Sequence, residues 1–220
     1  MTAETAAKIF EYLTSVDATL SRTAIGNKVS TAASPLKKKA LLSGNALSSQ
    51  LENNRRLIAE YIEWRVTSPP KQEADFLESL LSMAGITGLR LFPEGIFRLW
   101  PYVGSDSLVF PEPDQVAPHN IYGAVVDFCF RSYSELNRAS DADTLVKILA
   151  GIEWDIAVGP IHPFYDACGR ISRYYTTLLS LWYSAPIVDR GTREGYFQDA
   201  NEGREDFQRL FAAYPRLPCT

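Results

Sequence analysis

A histidine, an aspartate and two arginines lie close together in the segment "HPFYDACGRISR", residues 162–173. His162 is one of only two histidines in the 220-residue chain. Histidine is the side chain whose ordinary pKa suits the acceptance of a proton at neutral pH. Asp166 could hold Mg²⁺, which proteins commonly bind through one or two carboxylates together with substrate phosphates. These residue types together predict transfer of a phosphate-containing group to a nucleophile.

The two arginines are predicted to lie at the start of a helix that begins near Gly169, after a loop over residues 161–168. Arg170 and Arg173 are three residues apart, so they share a helix face. Cations at this end oppose the helix dipole, at a cost of about 0.3–1 kcal/mol each. A bound anion would offset that cost, because the first N–H groups of a helix lack helical partners and arginine matches phosphate oxygens. We therefore expect a phosphate site here.

Each of these residues also has an ordinary structural interpretation. A histidine beside a proline is commonly structural, and Asp166 with Arg170 at i,i+4 is commonly a surface ion pair. Cys168 is a further candidate nucleophile, since a helix N-terminus beside arginines lowers the pKa of a thiol. Its spacing from His162 matches known Cys–His hydrolases poorly. The combined pattern favours phosphate chemistry.

The elements that must position these residues are predicted to be mostly helical. Apolar spacing and Gly or Pro stops predict helices over 1–20, 36–44, 46–66, 73–85, 116–134, 144–158 and 169–184, with one or two more within 193–211. Residues 96–103 and 107–110 flank the turn-forming "GSDS" and predict a small hairpin. The expected fold class is therefore all-α, with one β-hairpin.

Composition limits the function classes. Hydrophobic residues make up 46% and charged residues 22%, as in ordinary globular proteins. The net charge of −4 argues against nucleic-acid binding. No secretory leader and no apolar run of about 18–20 residues is visible, so no membrane partner is expected. Three cysteines in neither a zinc nor a disulfide pattern indicate a cytoplasmic protein, with delivery as a secreted effector left open.

The segment 162–173 resembles the signature of the Fic family, His-Pro-Phe-x-(Asp/Glu)-Gly-Asn-Gly-Arg-x-x-Arg. Upstream, "PEGIFRLWPYV" is similar to the Gly-x-Phe/Tyr-Arg segment of that family's flap hairpin. Downstream, "REGYFQDANEG" resembles its Arg-x-x-Tyr-Tyr…Ala-Asn-Glu-Gly segment, with a shorter spacing. The resemblance implies the Fic fold, a helical bundle with a hairpin flap. It implies an N-terminal helical extension over 1–45, a Fic domain over 46–211 and a tail over 212–220.

The resemblance implies a protein adenylyltransferase, which moves AMP from Mg-ATP to a Ser, Thr or Tyr hydroxyl of a target protein. His162 would be the catalytic base and Asp166 would bind Mg²⁺, with ATP as co-substrate. The nucleotide and its phosphates would be bound by Ala167, Cys168, Gly169, Arg170, Arg173, Tyr196 and Asn201. An extended target segment would dock on the flap residues Phe97, Arg98, Leu99 and Trp100. Whether the chain forms a homodimer stays open.

Two positions depart from the family pattern. Ala167 stands where glycine is usual, and Cys168 stands where asparagine is usual. A thiol is a weaker hydrogen-bond donor to phosphate than an amide. Transfer of UMP, phosphocholine or phosphate, and removal of AMP, therefore remain alternatives. A degenerate Fic domain that acts as a non-catalytic peptide-binding or regulatory module is a further alternative.

A second family pattern, (Ser/Thr)-x-x-x-Glu-(Gly/Asn), matches "SSQLEN", residues 48–53. Ser48 and Glu52 are four residues apart on one face of the helix predicted over 46–66, and Asn53 completes the match. The resemblance implies that this helix is inhibitory, with Glu52 pairing with Arg173 and holding ATP in an unproductive pose. The implied result is that Glu52→Gly raises activity. The alternative is an ordinary amphipathic helix.

Overall fold

The computed structural model describes residues 45–88, 97–98, 115–164, 167–191 and 193–217. The helices predicted over 1–20 and 36–44 lie outside the described residues, as does nearly all of the N-terminal extension. Of the predicted hairpin, only Phe97 and Arg98 are described. Asp166 also lies outside the described residues.

Seven α-helices account for most of the described chain, which confirms the all-α prediction at the level of fold class. They are α1 (Asn45–Val66), α2 (Glu73–Gly88), α3 (Ile121–Arg138), α4 (Ala142–Ala157), α5 (Cys168–Trp182), α6 (Arg193–Asn201) and α7 (Arg204–Ala212). The helix predicted from residue 116 begins instead at Ile121, because Pro118 opens a short 3₁₀ turn, Pro118–Asn120, just before it. Gly203, at φ 100°, separates α6 from α7, so the predicted 193–211 region holds two helices.

A pair of two-residue strands adds a feature that the sequence did not predict. Strand β1 (Ile187–Val188) pairs antiparallel with β2 (Arg216–Leu217), and Ile187 lies opposite Leu217. Two residues are too few to show the alternation that marks a strand. Part of the segment predicted as a C-terminal tail over 212–220 thus hydrogen-bonds back to the residues that follow α5.

Helix α5 lies at the centre of the larger core. Every residue from Ile171 to Ser180 is buried, so α5 packs on all sides and not only along the predicted apolar stripe. Its partners in the core include Ile58, Ile62, Phe76, Leu80, Phe128 and Leu149. Thr177 and Ser180 donate their hydroxyl hydrogens to carbonyls four residues earlier, at 2.8 Å each. These bonds allow polar side chains to be buried on the inner faces of α5.

A second core joins α4 to α6 and α7. It contains Val146, Ala150, Tyr196, Ala200, Phe207 and Phe211. Gly151 leaves room for the Arg204 side chain over α4, because a Cβ atom at position 151 would lie 2.6 Å from Arg204 Nη2. Arg204 is also within 3.2 Å of the Asp155 carboxylate on α4. The second core thereby places α6 beside the first turn of α5, where the candidate site lies.

Candidate functional site

The loop that carries His162 connects the end of α4 to the start of α5. His162 is half-buried, and its backbone φ of 27° falls in the left-handed region that side chains other than glycine rarely adopt. Its Nδ1 atom lies 2.8 Å from the carbonyl oxygen of Ala157, the last residue of α4. A carbonyl can only accept, so Nδ1 carries the hydrogen of this bond. In the neutral ring, Nε2 is then the atom able to accept a proton.

Arg98 contacts this loop from the inside, which corrects its predicted role as a target-docking residue. Its side chain is only 3% exposed, and its Nε atom donates to the carbonyl of His162 at 2.9 Å. A buried guanidinium bonded to the protein's own carbonyls does not face a docking partner.

Phe97 forms an isolated antiparallel bridge with Phe164, and their rings stack at 5.9 Å between centroids. Of the other predicted flap residues, Leu99 and Trp100 lie outside the described residues.

The first turn of α5 begins with an unusual backbone conformation. Ala167, the N-cap, has φ 64° and ψ 13°, a left-handed conformation that glycine adopts more readily. Its carbonyl accepts hydrogen bonds from the backbone N–H groups of Arg170 and Ile171, at 2.9 and 2.8 Å. Ala167 therefore sets the direction in which the helix leaves the histidine loop, and it does so where the resembled family has glycine.

Cys168 turns its side chain into the core, which corrects the expectation that its thiol faces a phosphate. The residue is 2% exposed, and the peptide N–H of Phe164 donates to its Sγ atom at 3.4 Å. The thiol in turn donates to the Phe164 carbonyl at 3.5 Å. Position 168 can contribute to an anion site through its backbone and not through its thiol. The burial also removes support for Cys168 as a nucleophile.

The structure brings together several of the predicted phosphate-binding residues. A Cβ atom on Gly169 would lie 3.4 Å from Arg173 Nη1, so Gly169 and this guanidinium are neighbours. Arg173 is buried, and its guanidinium carbon lies 5.5 Å from the centre of the Tyr196 ring. Arg170 is half-buried, and its guanidinium makes no hydrogen bond or ion pair with any group that the structure describes. Asn201 is exposed at the last position of α6.

Behind Arg173 lies a buried charge network that the sequence interpretation missed. The Glu153 carboxylate, on α4, is fully buried and accepts from Arg190 Nε at 3.1 Å and from Arg190 Nη2 at 2.5 Å. Thr176 on α5 donates its hydroxyl to the same carboxylate at 2.7 Å. The available signal was an acid that follows the apolar run "ILAGI", residues 148–152 of α4. Sequence alone did not identify Arg190 as its partner.

The charge state of Glu153 follows from its surroundings. Burial acts to raise the pKa of this carboxyl. The charge of Arg190, hydrogen bonds from Arg190 and Thr176, and the charge of Arg173 outweigh burial and hold the pKa below its ordinary value. The carboxylate is therefore negatively charged at neutral pH, and it faces two arginines, one of which belongs to the candidate phosphate site.

The predicted inhibitory contact is not formed in this structure. The Glu52 side chain is 57% exposed and forms its ion pair with Arg55, one turn along α1, at 2.8 Å. Arg173, the expected partner, is instead buried against Tyr196. Asn53 accepts a hydrogen bond from Arg56 at 3.0 Å, and the side chain of Ser48 lies outside the described part. A neighbour on the same helix thus replaces the long-range pair.

Substitution of Glu52 by glycine tests this correction. Because Glu52 pairs with Arg55 in solvent, we expect Glu52→Gly to leave any transferase activity within about threefold of wild type. The helix itself should lose about 0.5–1 kcal/mol, the ordinary cost of glycine in a helix. Glu60→Gly, at another exposed acid of α1, is the matched control. A tenfold rise with Glu52→Gly alone would instead restore the inhibitory interpretation.

The described residues contain no group of three His, Cys, Asp or Glu side chains arranged to hold a metal ion. Mg²⁺ needs no such group, since it is commonly held by one or two carboxylates with substrate phosphates. Asp166, the predicted ligand, lies outside the described residues. Within the described helices, none combines the length and the apolar character needed to cross a membrane.

The fold and the site define an all-α protein whose loop histidine precedes a buried central helix. No known family model matches this chain, and no curated protein matches it. The function is therefore inferred from the residues of the site themselves.

Proposed function

We propose that this chain is a protein adenylyltransferase of the Fic type, which transfers AMP from ATP to a hydroxyl of a target protein. The observation that carries the proposal is the bond from His162 Nδ1 to the Ala157 carbonyl, because it reserves Nε2 for accepting a proton. This histidine lies on the loop that leads directly into α5, whose first turns carry Gly169, Arg170 and Arg173.

In the proposed reaction the target hydroxyl attacks the α-phosphorus of ATP and passes its proton to His162 Nε2. The new bond joins the hydroxyl oxygen to the α-phosphorus, and the bond from that phosphorus to the bridging oxygen of pyrophosphate breaks. Pyrophosphate leaves with the electron pair. Reactions of this type depend mainly on positioning and on neutralisation of phosphate charge. Mg²⁺, when bound with the nucleotide, would supply part of that neutralisation, and Asp166 is the residue proposed to hold it.

The charges around the start of α5 support binding of phosphates there. The Arg170 guanidinium makes no bond with any group that the structure describes, which supports its proposed role in binding an anion. Arg173 is held against Tyr196 and lies in the field of Glu153, which keeps the guanidinium in one place. A rigid cation binds phosphate with less loss of side-chain freedom than a mobile one. Arg170 would make the first contact and Arg173 would fix the pose.

A second candidate is a non-catalytic peptide-binding module, and one observation favours it. The resembled signature has an amide side chain where this chain has Cys168, and the thiol of Cys168 is buried against Phe164. Loss of that donor weakens an anion site. In such a module, the segment that resembles the family's flap would bind a peptide without chemistry, and Phe97, paired with Phe164, is the residue of that segment proposed to lie nearest the peptide.

Nucleotide labelling separates these candidates. The full chain is incubated with Mg²⁺, a cell lysate and ATP labelled at either the α or the γ phosphate. We expect stable protein label from α-labelled ATP and none from γ-labelled ATP. Parallel arms with labelled UTP and CDP-choline identify another transferred group, and label from γ-labelled ATP alone would indicate phosphate transfer. If no arm shows label and calorimetry detects no nucleotide binding, the transferase proposal is contradicted. The non-catalytic peptide-binding module then stands as the better candidate.

A further inference from the structure

We propose that Arg98 is a positioning residue for His162, which holds the strained loop backbone so that the imidazole keeps its bond to Ala157. The catalytic consequence of this proposal rests on the proposed function of His162. The structural part, that Arg98 sets the orientation of the ring, does not require any transferase activity.

Arg98 donates to three successive carbonyls of the histidine loop. Its guanidinium donates to Ile161 through Nη2 at 3.3 Å and to His162 through Nε at 2.9 Å. Its backbone N–H donates to the Pro163 carbonyl at 3.0 Å. The Nη2 group also donates to Val116, on the segment before α3, at 2.5 Å. One buried residue thus joins the loop to a second segment of the chain.

The backbone of His162 needs such support. At φ 27° it occupies a sparsely populated conformation for a residue with a side chain. Such conformations persist where the surroundings over-determine them, and they occur often at functional sites. The Arg98 bonds hold the carbonyls on both sides of the strained residue. Without them, the loop is free to relax toward an ordinary conformation.

The ring and the backbone of His162 are each held by a separate hydrogen bond. Nδ1 of the ring bonds to Ala157, and the carbonyl of the same residue bonds to Arg98. A relaxed backbone would move the ring away from Ala157, so the choice of tautomer depends on both bonds. Arginine suits this task because its planar guanidinium presents several fixed donors, whereas lysine presents a single compact ammonium group.

The test uses Arg98→Lys, with Arg65→Lys as a matched control. Arg65 is also a buried arginine, and it donates to Ser79 between α1 and α2. The readout is the tautomer of each imidazole, from long-range ¹H–¹⁵N spectra. With only two histidines in the chain, the exposed His119 is an internal reference. We expect His162 to be Nδ1-protonated in the wild type and in Arg65→Lys, and a mixture resembling His119 in Arg98→Lys.

Kinetics provide a second readout. We expect Arg98→Lys to lower kcat for AMP transfer about 10²-fold, the order of loss caused by a small displacement of a reacting group. KM for ATP should stay within about threefold, because the Arg98 bonds described above go to backbone carbonyls of the histidine loop and of Val116. An unchanged His162 tautomer in folded Arg98→Lys would overturn the proposal. A changed tautomer in a protein without transferase activity would keep the positioning role and remove the proposed function.

If Arg98→Lys does not fold, Arg98→Gln is measured in its place, since its amide keeps part of the hydrogen bonding. The spectrum of the wild-type protein can overturn the proposal by itself. A His162 ring that samples both tautomers as His119 does, in the intact protein, overturns the proposal without any variant.

Discussion

Replacement of His162 by alanine is expected to lower transfer of label from α-labelled ATP to protein by about 10²–10⁴-fold. This is the range over which a positioned acid or base accelerates proton transfer. The physical reason is that Nδ1 is occupied by the Ala157 carbonyl, so removal of the ring removes Nε2 as the proposed proton acceptor. Binding of ATP, measured by calorimetry, should change little, since the proposed phosphate contacts lie on α5.

His119→Ala is the matched control for this experiment. His119 is the other histidine of the chain and is exposed in the short turn before α3. We expect it to label protein as wild type does. Label that persists at the wild-type level in a folded His162→Ala protein would contradict the catalytic role. Equal losses of label in the two variants would indicate a general effect on the protein preparation. That result would also contradict a specific catalytic role for His162.

Replacement of Glu153 by glutamine is expected to lower the free energy of unfolding by about 3–5 kcal/mol, the usual result of removing one partner of a buried ion pair. Glu153 is fully buried, and its two oxygens bind Arg190. The amide keeps the shape of the side chain but leaves the positive charge of Arg190 uncompensated in the core. Since a folded domain is stable by only about 5–15 kcal/mol, the effect is large.

Urea unfolding followed by circular dichroism measures this change. Asp206→Asn is the matched control, because it removes the same charge from an exposed pair with Arg209. That variant should differ from wild type by less than about 1 kcal/mol. A Glu153→Gln protein as stable as Asp206→Asn would show that the buried pair contributes nothing net. If Glu153→Gln also transfers less label from α-labelled ATP to protein, Glu153 additionally helps to hold Arg173 in place.

The contribution of Glu153 has a definite pH dependence. Its pKa in the folded protein lies below the ordinary value of 4.5, despite burial, because Arg190 and its hydrogen bonds favour the charged form. A carboxyl with a lowered pKa stabilises the fold fully above the unfolded value. The stabilisation is lost as pH falls through the folded value. The difference between wild type and Glu153→Gln should therefore be largest above about pH 4.5 and shrink below it.

Local sequence patterns predicted the helices well where the residues are described. The predicted span 46–66 became Asn45–Val66, and 169–184 became Cys168–Trp182. Apolar periodicity and Gly or Pro stops act within one or two turns, so they can be identified without the rest of the chain. The error at residue 116 has the same local origin, since Pro118 favours the start of a turn and a helix.

Several side-chain roles could not be predicted, because they depend on partners far away in the sequence. Arg98 bonds to His162 across 64 residues, and Glu153 bonds to Arg190 across 37. Cys168, by contrast, bonds to Phe164 only four residues away, yet its inward direction depends on the turn at Ala167. The type of a residue indicates what chemistry its side chain can do. It does not indicate whether that side chain points into the core or toward the site.

The sequence by itself determined the all-α class, the position of the histidine loop before a helix, and the candidate residues for phosphate chemistry. Those features follow from periodicity, turn chemistry and residue type, all of which are local. Only the tertiary structure decided that Arg98 bonds to the His162 carbonyl, that Arg173 packs against Tyr196, and that Glu52 pairs with Arg55. The reason is physical: these contacts arise when separate helices exclude water between them, and burial then selects which polar groups must pair.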